Sequence, residues 1–207
     1  MTARLRESGV VLETRNPEVV LLCVPDTAIR EVAEAVEPGP WVAHTSGATP
    51  LSALAPHHRR FSIHPLQTFT HARGAEQLDG AFAAVSGETR EAEEMGHELA
   101  RLLGLKPFTL ADDVRPVYHA GAVIASNYLV TLHRAATELF DEAGAPAAAL
   151  EPLMARTMEN GFQLTGPIAR GDTATVEAHL QAIRSRKPEL EAMYRVLAET
   201  TRIVVAR

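Results

Sequence analysis

Apolar residues in the first half of the chain come in short runs separated by polar, proline- or glycine-bearing turns. The most continuous run is Val-Val-Leu-Leu-Cys-Val at 19–24, entered from Asn16-Pro17 and stopped by Pro25-Asp26. Unbroken apolar character over such a stretch predicts a strand covered on both faces, as in a parallel sheet. Residues 27–36 then change period, with Ile29, Val32, Ala33 and Val36 on one helical face, and Pro38-Gly39-Pro40 stops that helix. Trp41-Val42-Ala43 predicts a second strand, ending in His44-Thr45-Ser46-Gly47. A short helix begins at 51–54, a third strand covers 61–64, and two more cover 82–85 and 106–110. The last two flank a helix over 88–103 that Gly104 closes in the manner of a C′ glycine. Ahead of all this, residues 1–8 read as the end of a charged helix closed by Gly9, followed by the apolar patch Val10-Val11-Leu12.

Strands alternating with helices predict an α/β fold, a mostly parallel sheet with right-handed crossovers. Beyond residue 113 the strand pattern ends. Helices are expected over 116–143 (ended by Gly144), 146–163, 173–184 and 188–206, with Ile203-Val204-Val205 assigned to the frayed end of the last. Ala-Asp-Asp-Val-Arg at 111–115 breaks the periodicity, so two domains are expected: 1–112, α/β, and 113–207, all-helical.

Composition narrows the function classes. A net charge of −6 over 207 residues leaves no electrostatic footprint for a polyanion, and His57-His58-Arg59-Arg60 is too short to supply one, so nucleic-acid binding is not expected. No apolar run is long enough to span a bilayer and no signal-peptide pattern opens the chain, so a cytoplasmic protein without a membrane partner is expected. The single cysteine, Cys23, excludes an internal disulfide and reads as a buried, inert thiol. The nine histidines show no i, i+4 pair with a carboxylate at ligand spacing, so no metal site is expected.

Candidate chemistry gathers at the predicted carboxyl ends of the strands, where open α/β sheets present free backbone N–H groups to ligands. Val24-Pro25-Asp26 ends the first strand, His44-Thr45-Ser46-Gly47 the second, and His64-Pro65-Leu66-Gln67 the third. Each has a plain alternative: Asp26 as a helix N-cap, Ser46-Gly47 as turn chemistry, His64 as a packing histidine. In the helical part, His119, Val123 and Asn127 are spaced i, i+4, i+8 along one ridge; the imidazole and amide either complete buried hydrogen bonds or face a ligand. Arg170, in the turn Thr165-Gly166-Pro167-Ile168-Ala169-Arg170-Gly171-Asp172, either grips a carboxylate bidentately or is an exposed charge. Thr45-Ser46-Gly47 is not a Gly-x-Ser-x-Gly elbow, which disfavours a serine hydrolase.

Taken in order, Val-Pro-Asp (24–26), His-Thr-Ser-Gly (44–47), His-Pro-Leu-Gln-Thr-Phe (64–69), Tyr-His-Ala (118–120), Ser-Asn-Tyr-Leu (126–129) and the 165–172 run resemble a bacterial Rossmann-like family with a C-terminal domain of unknown function. That C-terminal domain is similar to those of 6-phosphogluconate dehydrogenase and of ketopantoate and pyrroline-carboxylate reductases. The resemblance covers residues from about 17 onward and implies a partial Rossmann-type sheet followed by a helical substrate and dimerisation domain. It implies that Val24, Pro25, Asp26 and Thr45, Ser46 and Gly47 lie against the ribose-nicotinamide half of NADP or NAD. His64-Pro65 resembles the His-Pro of prephenate dehydrogenases, where the histidine serves proton transfer. In hydroxyacid dehydrogenases a lysine and an asparagine one turn apart serve the carbonyl; here Asn127 matches, Val123 stands where the lysine would be, and His119 is the candidate replacement.

The implied activity is therefore hydride transfer between a nicotinamide cofactor and a small 2-oxoacid or 2-hydroxyacid, ketopantoate-like substrates included. His64 or His119 would handle the proton, Asn127, Ser46 and Gln67 would orient the substrate, and Arg170 would neutralise its carboxylate, within one copy or across a homodimer interface. One departure matters. No two glycines are separated by a single residue, so the Gly-x-Gly-x-x-Gly cradle for a pyrophosphate is absent, and the residues before Val19 are too few for a first strand–helix–strand unit. The phosphate-binding segment is expected to be missing, by nature or through a misassigned start. Free NADP(H) or NAD(H) should then bind weakly or not at all, and the 19–24 strand should become an apolar sheet edge paired by Val10–Leu12 or by a second copy. The rival reading is a non-catalytic homodimer that binds a small acid or a partner protein.

Overall fold

The structure is a computed structural model describing residues 1–12 and 15–206. It divides into two compact units, Met1–Ser126 and Asn127–Arg207. The expected division at 112/113 marks the end of strand-forming sequence, whereas the compact units part fourteen residues later, within a helical segment.

The first unit is built on a five-stranded sheet of β1 (Val19–Leu22), β2 (Trp41–His44), β3 (Arg60–Pro65), β4 (Phe82–Gly87) and β5 (Lys106–Thr109), lying side by side in chain order. All neighbours are parallel except β3 and β4, which run antiparallel. The α/β, mostly parallel, Rossmann-like fold expected from the sequence is what forms, followed by a helical part.

Two layers cover the sheet. On one face, α1 (Thr2–Glu7) and α3 (Arg90–Leu102) pack Leu5, Leu99, Ala100 and Leu103 onto Trp41, Ala43, Phe61, Ile63, Ala83 and Val85. Thr89 caps α3, its hydroxyl accepting the Ala92 amide, and Gly104 ends it at φ +81°, a conformation that costs glycine nothing and other residues a great deal. Gly96 lets α3 close on β4, since a Cβ there would lie 2.6 Å from Val85 Cγ1. On the opposite face, α2 (Ile29–Glu34) and the 3₁₀ turn Leu51–Leu54 pack against Leu22 and Val42.

Strand alternation decides what each face receives. In β3, Phe61 and Ile63 enter the first core, so Ser62 and His64 must face the other way. Register then aligns His44 with Ser62 and Ser62 with Ser86, a lateral polar row across three strands, fully buried.

The structure corrects several expectations. Strand β1 stops at Leu22, and Cys23, expected to be buried, is exposed. Val10–Leu12 forms no strand: the Val10 amide donates to the Leu5 carbonyl in the close of α1, which leaves β1 at the sheet edge. The helix expected over 116–143 is three pieces, α4 (Arg115–Val123), a π-turn (Ile124–Tyr128) and α5 (Leu129–Glu142). A π-turn carries an extra residue per turn, so the i, i+4, i+8 count that put His119 and Asn127 on one ridge does not hold through it.

In the second unit, α5 is followed by α6 (Leu150–Glu159), α7 (Thr173–Arg186) and α8 (Glu191–Val205). Helix α6 ends well before the expected residue 163, because Gly161 and Phe162 both take positive φ and turn the chain away. Asp172 caps α7 by accepting the Thr175 amide at 3.0 Å. The core of this unit is small: Val176, Leu180 and Ala198 with Ile168 and Tyr194 against them. Among the described residues no helix is long and apolar enough to cross a membrane.

Candidate functional site

The carboxyl ends of β1 and β2, the end of β3 and the start of α4 converge on one face of the first unit, and their polar residues are interlocked. Asp26, read from sequence as either an N-cap or a ligand group, does not cap: Pro25 occupies the N-cap position of the turn that follows. Its carboxylate instead accepts the Ser46 hydroxyl at 2.8 Å.

Ser46 is buried and heavily used. Its Oγ accepts the amides of Ala48 (3.2 Å) and Thr49 (3.0 Å), and the Thr49 hydroxyl lies at 2.9 Å. Since a hydroxyl has one proton and the Asp26 carboxylate can only accept, Ser46 gives its proton to Asp26 and uses its two lone pairs for the Ala48 and Thr49 amides. Ser46 therefore holds its own turn, the plainer of the two sequence alternatives, and fixes Asp26 above it. Thr45 is partly buried beside it, as is Val24, which packs on the second core, while Pro25 is exposed.

Gly47 is where two imidazoles meet the β2 turn. A Cβ on this residue would lie 2.6 Å from His119 Cδ2 and 2.8 Å from both Cε1 and Nε2 of His64. No side chain fits there. The two rings stand edge to face with centroids 6.0 Å apart. The other side of His64 meets Tyr118, whose hydroxyl is 2.8 Å from Nδ1 and whose ring is also edge-on.

Beneath this surface lies Arg115, 1% exposed and the largest fully buried side chain. Its Nη1 donates to Ser62 Oγ and Ser86 Oγ, each at 2.8 Å, and Nη2 donates to the Ser46 carbonyl. Asp112, 3.7 Å from Nε, balances the charge and accepts the Leu51 amide through both carboxylate oxygens, at 3.1 Å each. The guanidinium thus ties β3, β4 and the β2 turn to the start of α4.

The electrostatics follow from burial and from that cation. His44 is pushed down to about 4, first by burial and then by Arg115. Its Nδ1 accepts the Ser46 amide at 3.2 Å, so the proton sits on Nε2, which is buried with no well-formed hydrogen bond; the Pro50 backbone and Asp26 act against the downward shift. His64 is likewise lowered to about 4, by burial, then by His119 and Arg115, against an opposing pull from Asp26. Both are neutral imidazoles at neutral pH. Burial raises the Tyr118 phenol, with Arg115 opposing.

Of the residues singled out from sequence, the structure brings Asp26, Ser46, Gly47, His64 and His119 together. Gln67 is exposed on the loop after β3, and its amide is spent locally, donating to the Gln77 carbonyl at 3.2 Å and accepting the Thr68 amide at 2.9 Å. Asn127 lies in the π-turn and Arg170 in the Gly166–Gly171 turn, both exposed residues of the second unit. Sequence reasoning missed Arg115, His44 and the role of Tyr118. The one available signal was Ser62 and Ser86 at inward positions of apolar strands, a buried row that calls for a donor from elsewhere.

Comparison with known proteins fits this architecture. The protein TM1727 from Thermotoga maritima has a similar fold at 26% identity and TM-score 0.77, covering 94% of this chain and 81% of that one. BF3122 from Bacteroides fragilis, provisionally named an NADP oxidoreductase, aligns at 20% identity and TM-score 0.75 over 89% of this chain and 75% of its own. A semialdehyde dehydrogenase NAD-binding protein from Cupriavidus necator, crystallised with calcium and NAD, aligns at 20% identity and TM-score 0.58, covering 93% and 85% respectively. No curated protein matches the sequence. The family model described as "Domain of unknown function (DUF2520)" matches residues 81–201, more than half of the chain, and the chain belongs to that family.

Proposed function

We propose that this chain is a member of the NAD(P)-dependent oxidoreductases that acts on a small 2-oxoacid or 2-hydroxyacid, with its chemistry centred on Gly47 and His64. The observation that carries this is the packing of two imidazoles against a glycine at the carboxyl end of a parallel strand. That is where open α/β sheets bind ligands, and the missing Cβ is what lets the two imidazoles close on this turn. The solved structures of similar fold named for NADP or NAD add support.

The residues present fit one half of a dinucleotide. Asp26, exposed and held by Ser46, is an acceptor for ribose hydroxyls, and Val24, Pro25 and the Thr45–Gly47 backbone offer a surface for a nicotinamide ring. When bound, the cofactor would supply or take up hydride. The sequence holds no Gly-x-Gly-x-x-Gly, and weak binding of free cofactor is part of this proposal. His64 carries the proton chemistry in this reading; His119 walls the other side of Gly47. Asn127 and Arg170, exposed residues of the second unit, remain in this reading only as an amide and a guanidinium of the kind a small acid would need. The substrate class itself rests on the sequence resemblance.

A homodimer belongs to the same proposal. In the second unit the buried apolar side chains are Ala135, Leu150, Val176, Leu180, Ile183 and Ala198, whereas Leu153, Phe162, Val196, Ile203 and Val204 are each more than half exposed. Apolar surface of that extent is usually covered by another protein surface, and a second copy is the partner always at hand.

The test is oxidation of NADPH or NADH, followed by absorbance, against a panel of small 2-oxoacids. Turnover with one of them, lost in His64→Asn, is expected. Acids that bind without any cofactor oxidation would replace this reading with that of a small-acid-binding protein.

A further inference from the structure

We propose that Tyr118 and His64 form a proton relay, in which the proton His64 delivers to a ligand oxygen beside Gly47 is replaced from the Tyr118 hydroxyl, with the buried Arg115 guanidinium stabilising the phenolate left behind. The inference rests on the reading above, in that it concerns the proton accompanying hydride transfer at the same place.

The geometry is directional. The two nitrogens of His64 face different partners: Nδ1 is 2.8 Å from the Tyr118 hydroxyl, and Nε2 is on the edge packed beside Gly47, 2.8 Å from where a Cβ of that residue would lie. A proton leaving through Nε2 can therefore be replaced only through Nδ1, and the group waiting there is a phenol. Tyr118 is one turn along α4 from Arg115, whose charge acts on the phenol in the direction that favours ionisation.

Ordinary acid catalysis by an imidazolium is poorly served here. His119 and Arg115 from α4 oppose a charge on His64, as does burial, and only Asp26 from the β1 end favours one. With its proton affinity lowered to about 4, only about one His64 in a thousand is doubly protonated at pH 7. A neutral imidazole is a feeble acid unless a second proton enters as the first leaves. The relay meets that condition. The Nε2–H bond breaks as the ligand oxygen, holding the former carbonyl electron pair, gains the proton; the Tyr118 O–H bond breaks as Nδ1–H forms; solvent then returns a proton to the phenolate. Burial keeps the phenol protonated beforehand, so the two transfers are coupled rather than sequential.

The relay requires one tautomer at rest: Nε2–H, with Nδ1 accepting from Tyr118. Long-range ¹H–¹⁵N spectra of protein labelled at histidine read each ring separately, with His44, fixed as Nε2–H by the Ser46 amide, as internal control. The wild type at pH 7 should show His64 as Nε2–H. Tyr118→Phe, which keeps the ring and its edge contact, should drive His64 toward a mixture of tautomers and leave His44 unchanged. A wild-type His64 protonated on Nδ1 overturns the relay, and so does a His64 signal indifferent to Tyr118→Phe. If that variant fails to fold, the wild-type tautomer decides alone. Repeating the spectra with NADPH separates the two ideas: a correct tautomer with no cofactor response at His64 sinks the redox reading and leaves the dyad, whereas a cofactor response with the wrong tautomer does the reverse.

Discussion

Replacing Arg115 by methionine should loosen the whole candidate site from below, and the cost can be worked from its partners. The guanidinium makes three hydrogen bonds, to two strand serines and to the Ser46 carbonyl, and is balanced by Asp112. Methionine fills much of the volume but satisfies none of these groups. Serine hydroxyls can turn to other acceptors, as Ser86 already donates to the Leu110 carbonyl at 2.6 Å. The Ser46 carbonyl cannot, whereas the Asp112 carboxylate, about a third exposed, keeps the Leu51 amide and gains water. Losing the bonds of a buried cation and leaving a buried carbonyl without a donor costs about 1.5–3 kcal/mol, which is the loss expected here. Urea unfolding should show it as a lowered midpoint at unchanged m-value. Hydrogen exchange should quicken at the Ala48 and Thr49 amides, which depend on the Ser46 turn. Combining Arg115→Met with Ser62→Ala should cost clearly less than the sum of the two changes, because both remove the same bond. A loss under about 1 kcal/mol with unchanged exchange would refute the claim that this cation holds the β2 turn in place.

Other outcomes follow from the same geometry. Gly47→Ala must push the rings of His64 and His119 aside, so it should destabilise by about 1–3 kcal/mol and move both histidine side-chain resonances; unchanged resonances would show that the cleft has slack. His44 falls from 6.5 to about 4 on folding, so the unfolded chain binds the extra proton first: stability is intact above pH 6.5 and falls as pH drops toward 4, by up to about 3 kcal/mol from this residue alone. His64 adds a smaller share because it is partly exposed, and His44→Gln should flatten that limb of a stability–pH curve. Light scattering on the intact chain should give the mass of a dimer, and Val196→Glu together with Leu153→Glu should return a monomer; a monomeric wild type would dismiss the self-association proposal.

How much of this was visible in the sequence depends on how local the determining interactions are. The strands are legible because covered parallel strands need continuous apolar runs, as 19–22 and 41–43 show, and the ends of α1, α3 and α5 because Gly9, Gly104 and Gly144 supply positive φ. The site is half legible. Asp26, Ser46, Gly47 and His64 stand at strand ends, a position that sequence can locate, and the structure gathers them together with His119. Arg115 was read only as part of a break in periodicity, since its partners lie 29 to 69 positions away and nothing local marks it as buried. The reversed direction of β4 escapes a periodicity argument altogether, because alternation is the same whichever way a strand runs. The π-turn at Ile124–Tyr128 escapes it too, and with it the shared ridge assumed for His119 and Asn127.

The central claim is that the turn after β2 and the neighbouring imidazole receive the nicotinamide half of a cofactor. A titration of isotopically labelled protein with NADPH, continued to about millimolar concentration, addresses it directly. Shifts centred on Thr45, Gly47 and the His64 side chain, saturating weakly and removed by Gly47→Ala, are the predicted result. Silence at those three positions, or saturable shifts confined to residues elsewhere, would contradict the account.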